Sequence, residues 1–196
     1  MAKKTIIGIT TLAVIAIVVL WGVLSYNSVV SSEEKVESKW GNVQNVYQRR
    51  ADLIPNLVAT VKAYAEHEKS TLASVIAARS EATQIKVNID DLTSEKLQEF
   101  QRAQGELSSA IGRLIAISES YPDLKANQNF LELQAQLEGT ENRINVERKN
   151  FNEAAQEYNS KIRRFPTSIL SSIFNFKKKA YFEAESGSDV APKVQF

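Results

Sequence analysis

Residues 49–68 read RRADLIPNLVATVKAYAEHE. Ile54, Leu57, Val61 and Tyr64 recur at alternating steps of three and four, which puts them on one face of a helix. A strand would alternate every second residue instead. Pro55 sits inside the pattern. It brings no amide proton and its ring crowds the carbonyl of Ala51, so the helix is expected to bend or restart there. No reactive groups converge on the stretch, and it reads as a packing element with a kink.

Extended in both directions, the same spacing runs through Val36, Trp40, Val43, Tyr47, Arg50, Ile54, Leu57, Val61, Tyr64, Glu68, Leu72 and Val75. The expectation is one long helix over residues 27–82 with a coiled-coil-like seam. Arg50 and Glu68 fall on that seam. A lone buried charge there would cost several kcal/mol, so each should be paired or sit at a rim. The sharper alternative is a polar contact that sets register with another helix.

Upstream, the run that begins at Ile6 and ends at Leu24 carries no charge. As a helix it spans roughly 28 Å, about the hydrocarbon thickness of a bilayer. Lys3 and Lys4 precede it and the next basic residue is Lys35, so the positive-inside rule puts the N-terminus in the cytoplasm and the rest outside. Trp21 and Tyr26 stand where an outer aromatic belt belongs. A cleaved signal peptide ending near Val23-Leu24-Ser25 is the competing reading; its apolar core would be unusually long and no A-x-A site follows.

Downstream, Val87-Asn88-Ile89-Asp90-Asp91 reads as a loop, and Thr93 as an N-cap with Glu95 in the first turn. Leu97, Phe100, Leu107, Ile111 and Leu114 mark the next helix, which Pro122 ends. Gly105 and Gly112 share a face there and either weaken the helix, by up to about 1 kcal/mol each, or allow close helix approach, the favoured reading. Phe130, Leu137, Ile144, Phe151, Tyr158 and Phe165 then repeat every seven residues, with Leu133, Ala154, Ala155 and Ile162 widening the stripe. Pro166 stops that helix. Ile169, Leu170, Ile173 and Phe174 form one apolar face of a short helix, followed by Lys177, Lys178 and Lys179. Residues 184–196 read as an extended tail, with Val194 and Phe196 as an apolar end that could dock.

The totals narrow the function. The chain has 196 residues, 24 Lys and Arg against 23 Asp and Glu, 7 Gly, 4 Pro and no Cys. Near-neutral charge argues against nucleic-acid binding. The missing cysteine excludes disulfides, thiolate metal sites, a cysteine nucleophile and a lipidated cysteine. Few glycines and prolines favour helices. His67 is the sole histidine, in Glu66-His67-Glu68. Neighbours on a helix point about 100° apart, so this triplet is a poor metal site. There is no phosphate loop and no nucleophile elbow. No cofactor and no small-molecule substrate are indicated. The lysine run could meet anionic lipid headgroups, although such runs are usually just solvated.

The ordered set of motifs resembles the LemA family. Arg49-Arg50-Ala51-Asp52-Leu53-Ile54-Pro55-Asn56-Leu57-Val58 and Tyr64-Ala65-Glu66-His67-Glu68 carry the resemblance first. Tyr121-Pro122-Asp123-Leu124-Lys125-Ala126-Asn127, leading into Phe130, Leu133, Gln134, Leu137, Glu138, Glu141, Asn142 and Arg143, carries it next. Tyr158-Asn159, Phe165-Pro166 and Tyr181-Phe182-Glu183 follow, and Tyr26-Asn27 and Trp40 fit the pattern. The resemblance implies a bacterial protein with one N-terminal transmembrane helix and an α-helical domain outside the cytoplasm. It attributes no catalytic residues. Asp52 and Asn56 would then flank the proline and satisfy amides freed by its kink, and Glu138, Asn142 and Arg143 could bond a neighbouring helix.

Together these readings predict an all-α protein: a stub and anchor over residues 1–25, an elongated antiparallel bundle of three long helices plus a short fourth over 26–183, and a tail over 184–196. At about 1.5 Å per residue the three helices would be roughly 80, 43 and 60 Å long, which carries the short helix to the far tip. Ile173 should then lie well above about 40 Å from Tyr26. The expected role is a non-enzymatic scaffold or adaptor in the bacterial cell membrane, held in the bilayer by Ile6 to Leu24, with a protein partner or self-association. The candidate contact residues are Arg50, Asp52, Pro55, Asn56, His67, Glu68, Ile169, Leu170, Ile173 and Phe174. The alternatives are a secreted or periplasmic binding module after signal cleavage, and a metal-dependent factor that uses His67.

Overall fold

The computed structural model describes residues 2–89 and 92–183, and they form helices, turns and irregular segments with no strand among them. The helices are α1 (Ala2–Tyr64), α2 (Lys69–Gln84), α3 (Ser94–Ile117), α4 (Pro122–Lys125), α5 (Gln128–Arg163) and α6 (Thr167–Ile173). A 3-10 turn, Ser118–Ser120, joins α3 to α4. The fold is an all-α bundle led by a long apolar helix. One window of α1 is apolar enough to cross a membrane, and none of that window is buried in the protein.

α1 passes through Pro55 without interruption. The chain reverses later, at residues 65–68, where Ala65 still bonds back to Val61 and Glu68 bonds to Ala65. This corrects the single helix expected over 27–82. Tyr64-Ala65-Glu66-His67-Glu68 holds neither glycine nor proline, so local propensity does not call for the break. Tertiary burial does. After the reversal Leu72, Val75 and Ala82 join Ile54, Leu57 and Val61 in one core with Leu107, Leu114 and Phe130. Continued straight, α2 would have carried its apolar face past the end of α3 and α5 with nothing to cover it.

The seam holds as far as Val61, with Val36, Trp40, Val43, Tyr47, Ile54 and Leu57 all buried. It then shifts: Ala65 is buried and Tyr64 is exposed. In α5, Phe130, Leu137, Ile144, Phe151 and Tyr158 are buried as the repeat demands, but the sixth member, Phe165, lies past the helix end and is 82% exposed. α3 begins at the expected cap, Thr93 Oγ1 accepting from the Lys96 amide at 3.3 Å. A Cβ added to Gly105 or Gly112 would meet nothing within 4 Å, so the close approach expected there does not occur.

α2 runs antiparallel to α1, α3 runs parallel to it, and α5 runs antiparallel along its length, from Asn127 beside Tyr64 to Lys161 beside Ser28. α6 therefore lies at the end nearest the apolar run, not at the far tip. The Tyr26 and Phe174 ring centroids are 4.8 Å apart. The sequence-based distance failed because α2 folds back, which leaves α5 long enough to return the whole way.

Residues 174–183 then turn back along α5. Asn175, at φ 57°, sits in the left-handed region, and the Phe176 amide reaches the Ser171 carbonyl at 2.9 Å, a Schellman-type stop. Two asparagines of α5 hold the returning strap. Asn159 donates to the Lys179 carbonyl and accepts from its amide, both at 2.9 Å. Asn152 does the same for Phe182, at 2.9 and 2.8 Å. Seven helical residues rise about 10 Å, and three extended residues span about the same, so the two clamps match. The expected docking of Val194 and Phe196 lies outside the described residues, as do Asp90 and Asp91 of the loop.

Candidate functional site

A polar network linking four helices is built around Arg50. Its side chain is almost fully buried, so it is not the rim residue of the plainer expectation. Nη1 donates to Glu141 at 2.8 Å and to Ser108. Nη2 donates to the Gln104 carbonyl at 3.0 Å and its side-chain oxygen at 2.7 Å. Gln104 in turn donates to the Ala82 carbonyl at 3.1 Å. The guanidinium lies over the Tyr47 ring, 5.2 Å from its centroid. Only Nε lacks an acceptor. One side chain of α1 thus ties α3 and α5 directly, and α2 through Gln104.

This belt separates two apolar cores. On one side Trp40, Tyr47, Phe100, Ile144 and Phe151 belong to an aromatic-rich core. On the other, Ile54, Leu57, Leu107 and Leu137 belong to a mainly aliphatic one.

Pro55 sits just beyond the belt. Its missing amide leaves the Ala51 carbonyl without a helical partner. Arg79 of α2 supplies one, Nε donating to Ala51 O at 2.8 Å. Asp52 and Asn56 are not used in this way: Asp52 accepts from Gln48 at 2.7 Å, and the Asn56 carbonyl accepts from Thr60 at 2.9 Å. Arg79 carried no signal in the sequence, because its partner is set by the reversal at residues 65–68.

At the far tip two distant stretches meet. Tyr121 donates to Glu68 at 3.2 Å and Asn127 donates to the Tyr64 hydroxyl at 2.9 Å. Partial burial and then the Glu68 carboxylate push the Tyr121 phenol upward. Leu124 and Ala65 are buried beneath these contacts. The segments that bond here are Tyr64-Ala65-Glu66-His67-Glu68 and the two ends of Tyr121-Pro122-Asp123-Leu124-Lys125-Ala126-Asn127. A family model described as the LemA family matches residues 39–196. The chain belongs to the LemA family.

Curated relatives agree. The magnetosome protein MamQ 2 of Paramagnetospirillum magneticum is 28% identical over 198 residues, covering 92% of this chain and 72% of its own. The magnetosome protein MamQ of Magnetospirillum gryphiswaldense is 28% identical over 211 residues, covering 97% and 77%. The protein LemA of Metamycoplasma hominis is 25% identical over 158 residues, covering 81% and 68%.

In this LemA-family chain His67 is exposed in the tip turn. Among the described residues no three His, Cys, Asp or Glu side chains come together in a way that could hold a metal. The lysine run is not uniform. Lys177 and Lys178 are exposed, whereas Lys179 is buried and pairs with Glu33 at 2.8 Å. Glu33 also accepts from Tyr158 at 3.3 Å. Burial, and after it Glu33, push the Tyr158 phenol well above its ordinary value. Lys161 reaches the Ser28 carbonyl at 3.1 Å and bonds the Ser32 hydroxyl. The candidate contact residues therefore occupy three places: Arg50, Asp52, Pro55 and Asn56 at mid-bundle, His67 and Glu68 at the tip, and Ile169, Leu170, Ile173 and Phe174 beside the apolar run.

Proposed function

We propose that this chain is a non-enzymatic, membrane-anchored scaffold whose bundle stands outside the cytoplasm and acts through its helix faces, on a protein partner or a second copy of itself. One observation carries the reading. The apolar run and the core helix of the bundle are the same unbroken helix, α1. A flexible linker would let the bundle tumble. A continuous helix holds it at a fixed attitude to the bilayer, with the tip about 60 Å beyond the end of the run at about 1.5 Å per residue. Lys3 and Lys4 before the run support the orientation. The principal buried polar cluster is spent on interhelical bonds, which suits a framework better than a reaction centre.

Site-specific photocrosslinking in intact membranes tests this. Probes at Glu66 and Asp123 sample the tip, and probes at Glu138 and Asn142 sample the outer side of α5. Discrete adducts confined to one face are expected, and their masses separate a partner from a second copy. No adduct at any position, with the protein folded and in the membrane, removes the scaffold reading. Intact mass of the mature chain tests the anchor itself, since loss of Lys3 and Lys4 would mean signal cleavage. His67→Gln should leave the adduct pattern unchanged; a lost pattern would restore the metal-dependent alternative.

A further inference from the structure

We propose that α6 with its flanking Phe165 and Phe174 is a second membrane contact, lying in the interfacial layer of the same bilayer that α1 crosses. This rests on the anchored reading above and adds a surface to it.

The first observation is a helix that buries a serine and leaves two of its three large apolar side chains outside. A short helix docked on a soluble bundle should turn its apolar side inward. In α6 Ser171 is the buried residue and Thr167, Ser168 and Leu170 are half-buried, whereas Ile169 is 52% exposed and Ile173 is 69% exposed, beside the exposed Ser172. Phe165 and Phe174 extend the outward apolar surface at either end. The inward hydroxyl is satisfied locally, Ser171 donating to the Thr167 carbonyl at 3.1 Å, so facing the bundle leaves it no unmet bond. Ser172 likewise donates to the Ser168 carbonyl at 3.0 Å.

The second observation is position. Tyr26 lies two residues past Leu24, the end of the uncharged run, which is about 3 Å along the helix. The interfacial layer on each side of a bilayer core is about 5–8 Å deep. Tyr26 is therefore within it whenever the run spans the core. Phe174 touches Tyr26, with centroids 4.8 Å apart, and Phe176 lies 5.7 Å from the same ring. The three rings form one cluster, continuous with the lipid-facing surface of α1. An exposed apolar face at this depth meets headgroups and upper acyl chains without any further docking step. Lys177 and Lys178, both exposed, follow directly and suit a headgroup border.

A protein partner could in principle cover the same face. The depth decides against it: a partner there would have to displace lipid that the anchor already places against the rings.

The chain has no cysteine, so single labels are clean. Full-length protein carrying a nitroxide on Ile173→Cys or Phe165→Cys is reconstituted in vesicles of phosphatidylethanolamine and phosphatidylglycerol. Collisions with oxygen, which concentrates in lipid, are compared with collisions with a water-soluble nickel chelate. Leu12→Cys serves as the buried-in-lipid reference and His67→Cys as the aqueous one. All four sites are exposed on the protein, so none disturbs its core. The expected result is several-fold higher oxygen than nickel access at Ile173 and Phe165, between the two references. High nickel access at both, with Leu12 in lipid, overturns the proposal and leaves the anchor standing. Low access to both reagents means that protein covers the face, and also overturns it. Nickel access at Leu12 overturns the anchored reading itself, and this inference with it.

Discussion

The two halves of the bundle on either side of Arg50 are closed in different ways. The distal half is mainly aliphatic, and its polar ties at the tip span 53 residues for Tyr121 to Glu68 and 63 for Asn127 to Tyr64. The proximal half is aromatic, and it adds to shorter ties, such as 47 residues for Trp40 to the Val87 carbonyl, ones of 122 for Lys35 to Glu157 and 133 for Lys161 to Ser28. It also depends on the returning strap, whose Phe182 ring lies 6.0 Å from Trp40 and 5.5 Å from Phe151. Loop closure grows only slowly with length, by about 0.6 kcal/mol per doubling, so the difference bears on folding order more than on stability. The distal core draws on no described residue past Leu137. The proximal half waits for the whole chain. Its closure sits next to the apolar run of α1, where Ile169 and Ile173 of α6 are exposed.

The sharpest way to break this contrast is to remove the strap's anchor. Phe182→Ala should cost about 3–5 kcal/mol, as for other buried phenylalanines. Hydrogen exchange should show lost protection in α5 around Phe151 and Tyr158 and much smaller change in α3 around Leu107 and Leu114. Equal loss in both would make the bundle one cooperative unit.

The belt should behave differently, because it touches both halves. Glu141→Ala leaves the buried Arg50 charge without its carboxylate. Removing one partner of a fully buried pair costs about 3–5 kcal/mol; Glu141 is half exposed, so about 2–3 kcal/mol is expected here. Chemical denaturation gives the magnitude, and hydrogen exchange should now show both halves weakened together. A loss confined to one half would mean that Arg50 does not couple them.

Much of this architecture was legible in the sequence. The apolar run, the seam from Val36 to Val61, the N-cap at Thr93 and the seven-residue repeat from Phe130 to Tyr158 are local patterns, and the structure keeps them. What was not legible depended on which segments meet. Pro55 looked like the hinge because its chemistry is local, yet a partner on α2 supplies the bond its carbonyl neighbour lacks. The true reversal, at residues 65–68, carries no breaker and is decided by where Leu72 and Val75 find cover. Without that turn, helix lengths alone put the short C-terminal helix at the wrong end. Asn152 and Asn159 were hidden for a similar reason. Seven residues apart on α5, they show no pattern of their own, and only the strap laid beside them reveals what they bind.

Pro55 and Arg79 offer a smaller test, confined to the distal side of the belt. Arg79→Met should cost about 1–2 kcal/mol, because it leaves the Ala51 carbonyl unpaired. With Pro55→Ala the helix regains an amide that can bond that carbonyl, so Arg79→Met should then cost much less. A coupling of about 1 kcal/mol is expected from the double-mutant cycle. Additive losses would show that Arg79 acts by packing alone.

The smallest expected effect is a pH dependence confined to the proximal half. The Tyr158 phenol is raised in the folded chain by burial and then by Glu33, while Lys179 lies 5.8 Å from its ring. In the unfolded chain it should titrate near its ordinary value of about 10. Above that pH the unfolded state loses a proton that the folded state keeps. Folding stability therefore falls as pH rises, by up to about 1.4 kcal/mol per pH unit once the unfolded phenol is fully ionised. Half a unit above the ordinary value the loss is still below about 1 kcal/mol. Tyr158→Phe removes this contribution and, at neutral pH, the weak bond to Glu33. The wild type should then be the more stable at neutral pH, and its advantage should shrink as pH rises through 10. Tyr121, also raised, is common to both proteins and cancels in the difference. Denaturation midpoints of the two proteins at neutral and alkaline pH give the comparison. A gap that stays constant across the range would mean that Tyr158 ionises as readily in the folded core as in the open chain, and that the proximal half is wetter than its packing indicates.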